Sequence, residues 1–345
     1  MWLSPRSQVP MFKPHPGPGP EPIGFLLVPQ FSMMAFSAAV EPLRVANRLA
    51  GRPLFDWRAW SMDGQPVKAS NGWPIPVEGA LSAVSDIPTL IVCSSFEPEA
   101  HTSKAMLAAL RRLARRGTEI GALDTGASIL AAAGLLSGGR VTMHWEAAPG
   151  FAEAYPDIEI SEALFEVSAK HFTCAGGTAA LDLMLDMIAR KHGQSLAVAV
   201  SEQFIHDRLR DRHDRQRMSL PKRLGIGNGK LIRVVAAMEA NLETPLDARS
   251  LASLSGVSAR QLERLFRSQL KDSPANYYLR LRLERARQLL RQTDMSVMEV
   301  AMACGYSSAS CLSRSYRAHF AVTPREDRSE SWERGPLERG HPVRS

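Results

Sequence analysis

Two copies of one short pattern lie in the last third of the chain, and they constrain its fold more than any other feature. The first copy reads LASLSGVS from residue 251, and the second reads VAMACGYS from residue 300. Ala252 and Gly256 match Ala301 and Gly305 at an offset of 49, while residues after the turn match at an offset of 50. The second copy therefore holds one extra residue in its turn.

Each copy predicts a helix, a glycine-containing turn and a second helix. A small alanine lets the two helices approach closely, and glycine suits a turn position with positive φ. After each turn, apolar residues four apart place one face of the second helix on a core: Leu262 and Phe266 in one copy, Leu312 and Tyr316 in the other. The opposite face is then free to enter the major groove of DNA. One match would be weak evidence, but two with basic second helices predict a paired DNA-binding unit.

The exposed faces of the two second helices supply the candidate DNA contacts. They are Ser258, Arg260, Gln261 and Arg264 in the first helix, and Ser307, Ser308, Ser310 and Arg314 in the second. Arginine can pair with guanine, and glutamine with adenine, in the major groove. Arg267 and Lys271 are better placed for phosphates, which give affinity rather than sequence choice. Each residue taken alone also fits a merely solvated helix face.

A further helix, predicted over residues 275–291, would join the two units. At 1.5 Å per residue it spans roughly 25 Å. That length suits two units placed near one DNA turn apart. The two units would then read successive major-groove segments on one face of the duplex.

The charge of the chain is unevenly placed. Residues 230–328 hold 16 Lys/Arg against 10 Asp/Glu, whereas residues 23–207 hold 14 against 19. Residues 208–229 hold 7 against 2. A basic C-terminal part behind a mildly acidic N-terminal part indicates a polyanionic partner for the former only. A surface bias that serves solubility would also fit the charge alone.

The ends of the chain and its cysteines narrow the setting. The Pro- and Gly-rich stretch 1–22 lacks the apolar core of a signal peptide, and it predicts a disordered tail. No apolar run approaches the ~20 residues of a membrane span. The four cysteines, Cys93, Cys174, Cys304 and Cys311, form no metal-ligand spacing, so no metal or cofactor is expected. With no export signal, free thiols fit a reducing cytoplasm, with the protein at the nucleoid through DNA.

The N-terminal half alternates short apolar runs with helical periodicity, which predicts an α/β doubly wound sheet. Strands are predicted over 23–29, 55–62, about 67–77, 89–95, 118–124, 141–145 and 163–172, and helices over 33–49, 101–116, 127–135 and 176–193. Ligand sites in such sheets lie beyond the carboxyl ends of the strands. That rule points to residues 29–34, 93–97 and 124–127.

These stretches resemble two known families in combination. Residues 231–329, ending in HFAVTPREDR, are similar to the AraC/XylS family of transcription regulators. Residues 23–195 resemble the ThiJ/PfpI domain, related to class I glutamine amidotransferases, through the stretches GFLLVP, AVEPLRVANRLAG, ASNGWPIPVE, LAAAGLLSGGRVTMHWE and FTCAGGTAALDLML. The combination is typical of the GlxA-type subgroup. Within it, the sequence resembles regulators of carnitine, glycine betaine or arginine catabolism.

One departure from the ThiJ/PfpI pattern bears on catalysis. Enzymes of that group carry a cysteine at a sharp strand-to-helix turn, in a pattern like CTGA, whereas here the turn reads Asp124-Thr125-Gly126-Ala127. The thiolate nucleophile is therefore missing. Asp is a nucleophile in some enzymes, but by resemblance only His144 lies near as an assisting base. We expect no catalytic residue and no enzyme activity. An amidase- or hydrolase-like enzyme fused to a DNA-binding module is the alternative.

The same turn is the candidate effector site. The resemblance implies that Glu41 faces Asp124, and two such carboxylates would favour a cation between them. Trp145, Phe96 and Trp73 would offer aromatic faces to an alkylated ammonium, and the amides after the turn could hold a carboxylate. The predicted ligand-binding residues are Glu41, Ser94, Ser95, Phe96, Asp124, Thr125, His144 and Trp145. Alternatively, Asp124 merely caps the helix that follows.

Together these features predict five segments. They are a tail (1–22), a ligand-sensing and dimerisation domain (23–207), a basic linker (208–229), a double helix-turn-helix domain (230–328) and a second tail (329–345). The linker either touches phosphates or simply connects. We expect a transcription regulator, an activator, that binds promoter DNA as a homodimer under a betaine-, carnitine- or amino-acid-like effector, with RNA polymerase as a further partner and no membrane partner. A ligand-independent DNA-binding dimer is a second alternative.

Overall fold

The computed structural model describes residue 17 and residues 19–136, 139–168 and 170–333, with the side chains of 329–333 excepted. The chain forms two compact units and passes from the first to the second between Gln216 and Arg217. Each unit has its own hydrophobic clusters. The change of unit falls inside the segment 208–229, whose first nine residues belong to the first unit.

The first unit is built on one mostly parallel sheet. Its strands are β1 (Glu21–Leu27), β2 (Phe55–Ser61), β5 (Gly79–Ala80), β6 (Thr89–Ser94), β7 (Glu119–Asp124), β8 (Phe165–Val167) and β9 (His171–Cys174). The strand order is β5-β2-β1-β6-β7-β9-β8, and only the β8–β9 pair is antiparallel. The central strands read as unbroken apolar runs because both of their faces are covered. A separate hairpin pairs β3 (Val67–Lys68) with β4 (Pro74–Ile75).

Helices cover both faces of that sheet. They are α1 (Met33–Ala50), α2 (Lys104–Arg115), α3 (Gly126–Ala132), α4 (Ala148–Ala154), α5 (Ala179–His192) and α6 (Gln194–Gln203), with a short 3-10 helix over Leu81–Ala83. The cluster on one face draws on α1, α5 and α6, and the cluster on the other face draws on α2, α3 and α4. The predicted doubly wound α/β architecture is therefore confirmed.

The second unit is all helical. Its helices are α7 (Leu220–Leu224), α8 (Gly229–Ala240), α9 (Ala248–Ser255), α10 (Ala259–Gln269), α11 (Pro274–Gln292), α12 (Val297–Ala303), α13 (Ala309–Phe320) and α14 (Pro324–Glu333). One cluster joins α8, α9 and α10 to Tyr277 and Tyr278 at the start of α11. A second cluster joins α12 and α13 to Leu283, Ala286 and Leu289 further along α11. The long helix thus spans two small cores, one for each helix-turn-helix unit.

Several sequence predictions need correction. Residues 141–145 form no strand, because only Val141 is bridged, to Ile160. The run near 67–77 is a hairpin rather than one strand. The strand β1 starts inside the predicted tail 1–22, and α14 continues to Glu333, past the predicted start of the second tail. The rest of both tails lies outside the described residues. Among the described residues, no helix is long and apolar enough to span a bilayer.

Candidate functional site

The two helix-turn-helix units have the predicted turns and buried faces. Gly256 ends α9 with φ 62°, and Gly305 follows α12 with φ 71°. Helix α10 begins after Ser258, two residues past its glycine, and α13 begins after Ser308, three residues past its glycine. The extra turn residue is therefore present in the structure. The core-facing residues Leu262, Phe266, Leu312 and Tyr316 are at most 2% exposed, which confirms the predicted faces.

Three arginines stand out on the opposite faces of these helices. Arg260, Arg264 and Arg314 are exposed, and none of them forms a hydrogen bond or an ion pair within the described part of the chain. Their guanidinium groups are free to pair with base edges, as arginine does with guanine. Ser307 and Ser310 are exposed beside them.

Three other candidates already have structural duties at the helix starts. Ser258 and Gln261 form a capping box, in which the Ser258 Oγ accepts from the Gln261 amide and the Gln261 Oε1 accepts from the Ser258 amide. Ser308 caps α13 by accepting from the Cys311 amide at 3.2 Å. Bidentate pairing of Gln261 with adenine needs its oxygen and would break the capping box. The donor groups of these side chains, two hydroxyls and one side-chain amide, take no part in the caps and stay available to DNA.

The two predicted phosphate contacts lie at the end of α10. Arg267 is exposed and its Nη2 lies 3.3 Å from Glu263 Oε1, one helical turn away. The Lys271 Nζ donates to the Ser268 carbonyl at 3.1 Å. Exposed pairs of this kind are worth little, so both cations can turn to a phosphate at small cost.

The strand-to-helix turn of the first unit is a strained elbow. Asp124, the last residue of β7, has φ 60°, a left-handed conformation that non-glycine residues seldom adopt. At two positions near the elbow, Gly126 and Gly176, the surrounding atoms leave no room for a side chain. A Cβ on Gly126 would lie 2.6 Å from the Val92 carbonyl oxygen, and one on Gly176 would lie 2.7 Å from the Asp124 Cβ. The Asp124 side chain therefore packs closely against Gly176 at the carboxyl end of β7.

The Asp124 carboxyl is buried with few partners. The residue is 7% exposed, and its Oδ2 accepts from the Ser95 hydroxyl at 3.4 Å. Burial raises the pKa of Asp124 to about 7, and the nearby Glu146 adds to the rise, while the Ser95 hydrogen bond opposes it. A cation placed against this carboxylate would remove the cost of ionising it.

The loops predicted to line the site meet at this elbow. Phe31 forms a β-bridge with Ser95, and the Thr125 hydroxyl donates to the Ser95 carbonyl at 2.6 Å. The His144 amide donates to the Asp124 carbonyl at 3.4 Å, and burial lowers the pKa of the His144 ring. Ser94 lies beside Asp124 in the sheet, and its buried hydroxyl has no partner among the described residues.

Large aromatic side chains with substantial exposure occur in the same stretches of the first unit. Phe96 follows Ser95 and is 49% exposed, and Trp145 follows His144 and is 37% exposed, with its ring 5.6 Å from the His144 ring. Trp73, in the β3–β4 hairpin, is 72% exposed. Each of these three side chains leaves aromatic surface open to solvent.

The predicted partnership between Glu41 and Asp124 is not what the structure shows. Glu41 lies on α1 with its side chain 43% exposed, and it accepts from Arg44 at 2.7 Å. The carboxylate that acts on Asp124 is Glu146. Helical periodicity placed Glu41 correctly on α1, whereas its position facing the elbow was taken from the family resemblance.

Neither capping nor thiol chemistry accounts for the elbow. The N-cap of α3 is Thr125, with no side-chain capping bond, so Asp124 does not occupy the capping position proposed as an alternative. The nearest sheet cysteines are buried, and burial raises the pKa of Cys93, and that of Cys174 to about 12. Both thiols stay protonated at neutral pH and are poor nucleophiles.

The segment 206–216, assigned in part to the linker, is bound to the first unit. The Gln216 side-chain amide donates to the Thr142 hydroxyl and to the Met143 carbonyl, next to His144, at 2.9 and 3.0 Å. Arg210 Nε donates at 2.9 Å to Asp182, whose side chain is fully buried. Sequence reasoning missed these contacts because the segment reads only as a basic run.

Comparison with known families gives a match for each unit. Residues 25–190 match the DJ-1/PfpI family. Residues 251–330 match a helix-turn-helix domain family. The two matches together span both compact units.

Several relatives align with this chain over most of its length. The HTH-type transcriptional regulator CdhR of Pseudomonas aeruginosa is 51% identical over 305 residues, covering 88% of this chain and 90% of that protein. The HTH-type transcriptional regulator GbdR of the same species is 44% identical, covering 90% of this chain and 84% of that protein. The HTH-type transcriptional regulator GlxA of Rhizobium meliloti is 40% identical, covering 88% of this chain and 94% of that protein.

Proposed function

From the premise that this chain belongs to the AraC/XylS family of transcriptional regulators of the GlxA type, with an N-terminal DJ-1/PfpI domain, we propose that a small metabolite controls its DNA binding. The protein is a DNA-binding transcriptional regulator. The effector in this proposal is a small cation or zwitterion of the betaine, carnitine or amino-acid type, bound at the Asp124 elbow.

The observation that carries the effector proposal is the buried carboxyl of Asp124. It stands where related enzymes hold a cysteine, its hydrogen bond from the Ser95 hydroxyl is long at 3.4 Å, and burial has raised its pKa to about 7. A buried carboxyl in that state is stabilised by a positive ligand group more than by any partner it has now. Exposed aromatic rings in the neighbouring stretches suit an alkylated ammonium.

A zwitterion would need a place for its negative group as well. The amide groups at the start of α3 follow the elbow directly and carry no side-chain cap. Free amides at a helix start suit a carboxylate. Support for a zwitterion is therefore the pairing of one buried carboxyl with adjacent backbone donors.

The contacts of segment 206–216 suggest how the effector state reaches the second unit. Gln216 is the last residue of the first unit, and it donates to the Thr142 hydroxyl and to the Met143 carbonyl, just before His144. The His144 amide in turn donates to the elbow residue itself. In this proposal, a ligand that shifts the 142–145 loop changes the hold on Gln216 and so on the chain that enters the DNA-binding unit.

The DNA contacts in this proposal rest on charge and exposure. Arg260, Arg264 and Arg314 read base edges, while Arg267 and Lys271 bind phosphates. Activation of transcription, with RNA polymerase as a partner, and a homodimer through the first unit complete the proposal, and both rest on the resemblance to the family. Sedimentation of the full chain tests the dimer, and transcription in vitro from a bound promoter tests the sign.

A thermal-shift screen of the full chain tests the effector proposal. The panel contains betaines, carnitine, arginine and other amino acids. A ligand present at 100 times its Kd adds about 2.7 kcal/mol to the native state and raises the melting temperature. Asp124→Ala should lose that shift and keep its DNA affinity, whereas Asp63→Ala, which removes an exposed carboxyl of the same unit, should keep both.

Three results would redirect the proposal. A shift that survives in Asp124→Ala would place the effector elsewhere. No shift with any compound would favour a DNA-binding dimer whose first unit only assembles. Hydrolysis of an amide panel that depends on Asp124 would favour the enzyme alternative, which the protonated thiols and the missing elbow cysteine argue against.

A further inference from the structure

Two side chains of the long helix α11, one turn apart, hydrogen-bond to the loop before the first helix-turn-helix unit and to the turn of the second. The Tyr278 hydroxyl donates to the Asn241 carbonyl and accepts from the Leu246 amide at 3.3 Å, which fixes the loop between α8 and α9. Arg282 Nε donates to the Cys304 carbonyl at 2.8 Å, and its Nη2 donates to the Gly305 carbonyl at 2.6 Å. Residues four apart lie on one helix face, so the loop and the turn are held side by side.

The Arg282 guanidinium is held in place from a second direction. It lies 4.2 Å from the centre of the Tyr306 ring, a cation–π contact. The guanidinium therefore binds the turn of the second helix-turn-helix unit through two carbonyls and one aromatic face. A side chain with that many bonds holds the turn in one position relative to α11.

The loop between α8 and α9 touches the turn of the second helix-turn-helix unit directly. A Cβ added to Gly305 would lie 2.6 Å from Pro245 Cδ and 2.8 Å from the Glu243 carbonyl oxygen. The equivalent Gly256 of the first helix-turn-helix unit also has positive φ, yet a Cβ there would meet nothing within 4 Å. Backbone conformation explains glycine at both positions, but only Gly305 also needs to be small for contact.

This contact affects the relative orientation of the two helix-turn-helix units because these have separate cores. One hydrophobic cluster forms the core of the first helix-turn-helix unit and another forms the core of the second, and α11 contributes to both. A single helix can bend and twist, whereas a helix plus a second contact fixes an orientation. Helix α13 starts only four residues after Gly305, so the position of this turn sets where α13 points.

We propose that Gly305 packed on the Glu243–Pro245 loop, with Tyr278 and Arg282 as its supports, is a positioning device that fixes the spacing and phase of the two DNA segments read by α10 and α13. The residues involved touch no base in this proposal. They act by holding one reading helix relative to the other. The specificity they add is for the distance between the two segments and not for the bases within either.

The test uses a duplex recovered by the full chain from random DNA, and copies of it with one to three base pairs inserted between the two recognised segments. Each inserted pair rotates the second segment by about 35°. For the native protein, we expect a two-pair insertion to weaken binding by about tenfold or more, because a rigid pair of helices cannot follow it. Gly305→Ala should bind the original duplex more weakly and lose less than about threefold on insertion.

Gly256→Ala is the matched control. It places the same side chain at the same backbone conformation, so it carries the same strain without the collision. We expect it to keep the sharp preference for the original spacing, whatever its melting temperature. Pro245→Ala removes two of the three atoms that a Gly305 Cβ would meet, Pro245 Cγ and Cδ, and leaves the Glu243 carbonyl oxygen, so it should restore the sharp preference only partly when combined with Gly305→Ala.

A spacing preference that is equally sharp in Gly305→Ala and Gly256→Ala would overturn the proposal. So would loss of affinity by Gly305→Ala that is the same on every duplex and is not relieved by Pro245→Ala. Both outcomes would show that Gly305 serves only the folding of its own turn. If Gly305→Ala does not fold, Arg282→Ala tests the same device, with a broadened spacing preference expected and an unchanged one contradictory.

Discussion

Replacing Asp124 with Asn should make the first unit more stable, and the gain should grow with pH. The Asp124 pKa is about 7 in the folded protein against an ordinary value of 3.8. Because the folded pKa is the higher one, the unfolded chain releases this proton first as pH rises. The native protein therefore loses stability from about pH 4 to about pH 7, and the loss levels off above that range. Asparagine keeps a neutral group of the same shape at the elbow and avoids the loss.

The size of the effect follows from the two pKa values. A gap of roughly 3 between them corresponds to about 4 kcal/mol once both states are ionised, since each pKa unit is worth about 1.4 kcal/mol. At pH 5 only about 1.6 kcal/mol of that penalty is present. The difference in unfolding free energy between Asp124→Asn and the native protein should thus grow by about 2.5 kcal/mol from pH 5 to pH 8. Any constant effect of the amide cancels in this comparison.

Urea unfolding followed by tryptophan fluorescence measures this difference. Five of the six tryptophans precede residue 217, so the signal reports on the first unit. Asp63→Asn serves as control, because hydrogen bonding holds the pKa of that exposed carboxyl below its ordinary value, and both states are ionised above pH 5. Equal differences at pH 5 and pH 8 for Asp124→Asn would refute the reasoning. They would mean that solvent reaches the elbow carboxyl.

Three further predictions concern both units. The Kd of a quaternary ammonium effector should rise about tenfold for each pH unit below about 7, because the ligand binds ionised Asp124; calorimetry at pH 6 and 8 checks this, and a flat profile contradicts it. Arg260→Ala or Arg314→Ala should cost ~1–3 kcal/mol in DNA binding and relax base choice in one segment; competition with base-substituted duplexes checks it, and equal loss on all duplexes would indicate phosphate contacts. Asp327→Ala should destabilise the second unit by about 1.5–3 kcal/mol, because it removes a buried carboxylate that accepts hydrogen bonds from the half-buried Arg287 and Arg291, whereas exposed Asp294→Ala should change little in a circular dichroism melt.

The helix-turn-helix units were predictable from sequence because their signals are local. Leu262 and Phe266 lie four apart and face one core, and the glycines of the turns have the positive φ that their residue type implied. The role that separates Gly305 from Gly256 was not predictable. It depends on the Glu243–Pro245 loop, about sixty residues earlier, which only the tertiary packing brings to that turn.

The first unit shows where periodicity fails. Val141 and Met143 are buried and alternate with polar residues, so the stretch resembles a strand. No continuous ladder forms there, since only Val141 is bridged and the next amide, that of Thr142, donates to the Thr173 hydroxyl at 2.8 Å. The elbow at Asp124 was found because strand and helix signals meet there. Its actual charged neighbour, Glu146, lies in a loop that carries no periodic signal.

Selection of duplexes from random DNA by the full chain, repeated with Arg260→Ala and with Arg314→Ala, tests most directly that this protein reads DNA through two separate units. We expect the native protein to recover two conserved blocks with centres about one helical turn, or roughly 10 base pairs, apart. Arg260→Ala should lose conservation in one block, and Arg314→Ala should lose it in the other. Recovery of a single block, or loss of the same block in both variants, would contradict the account.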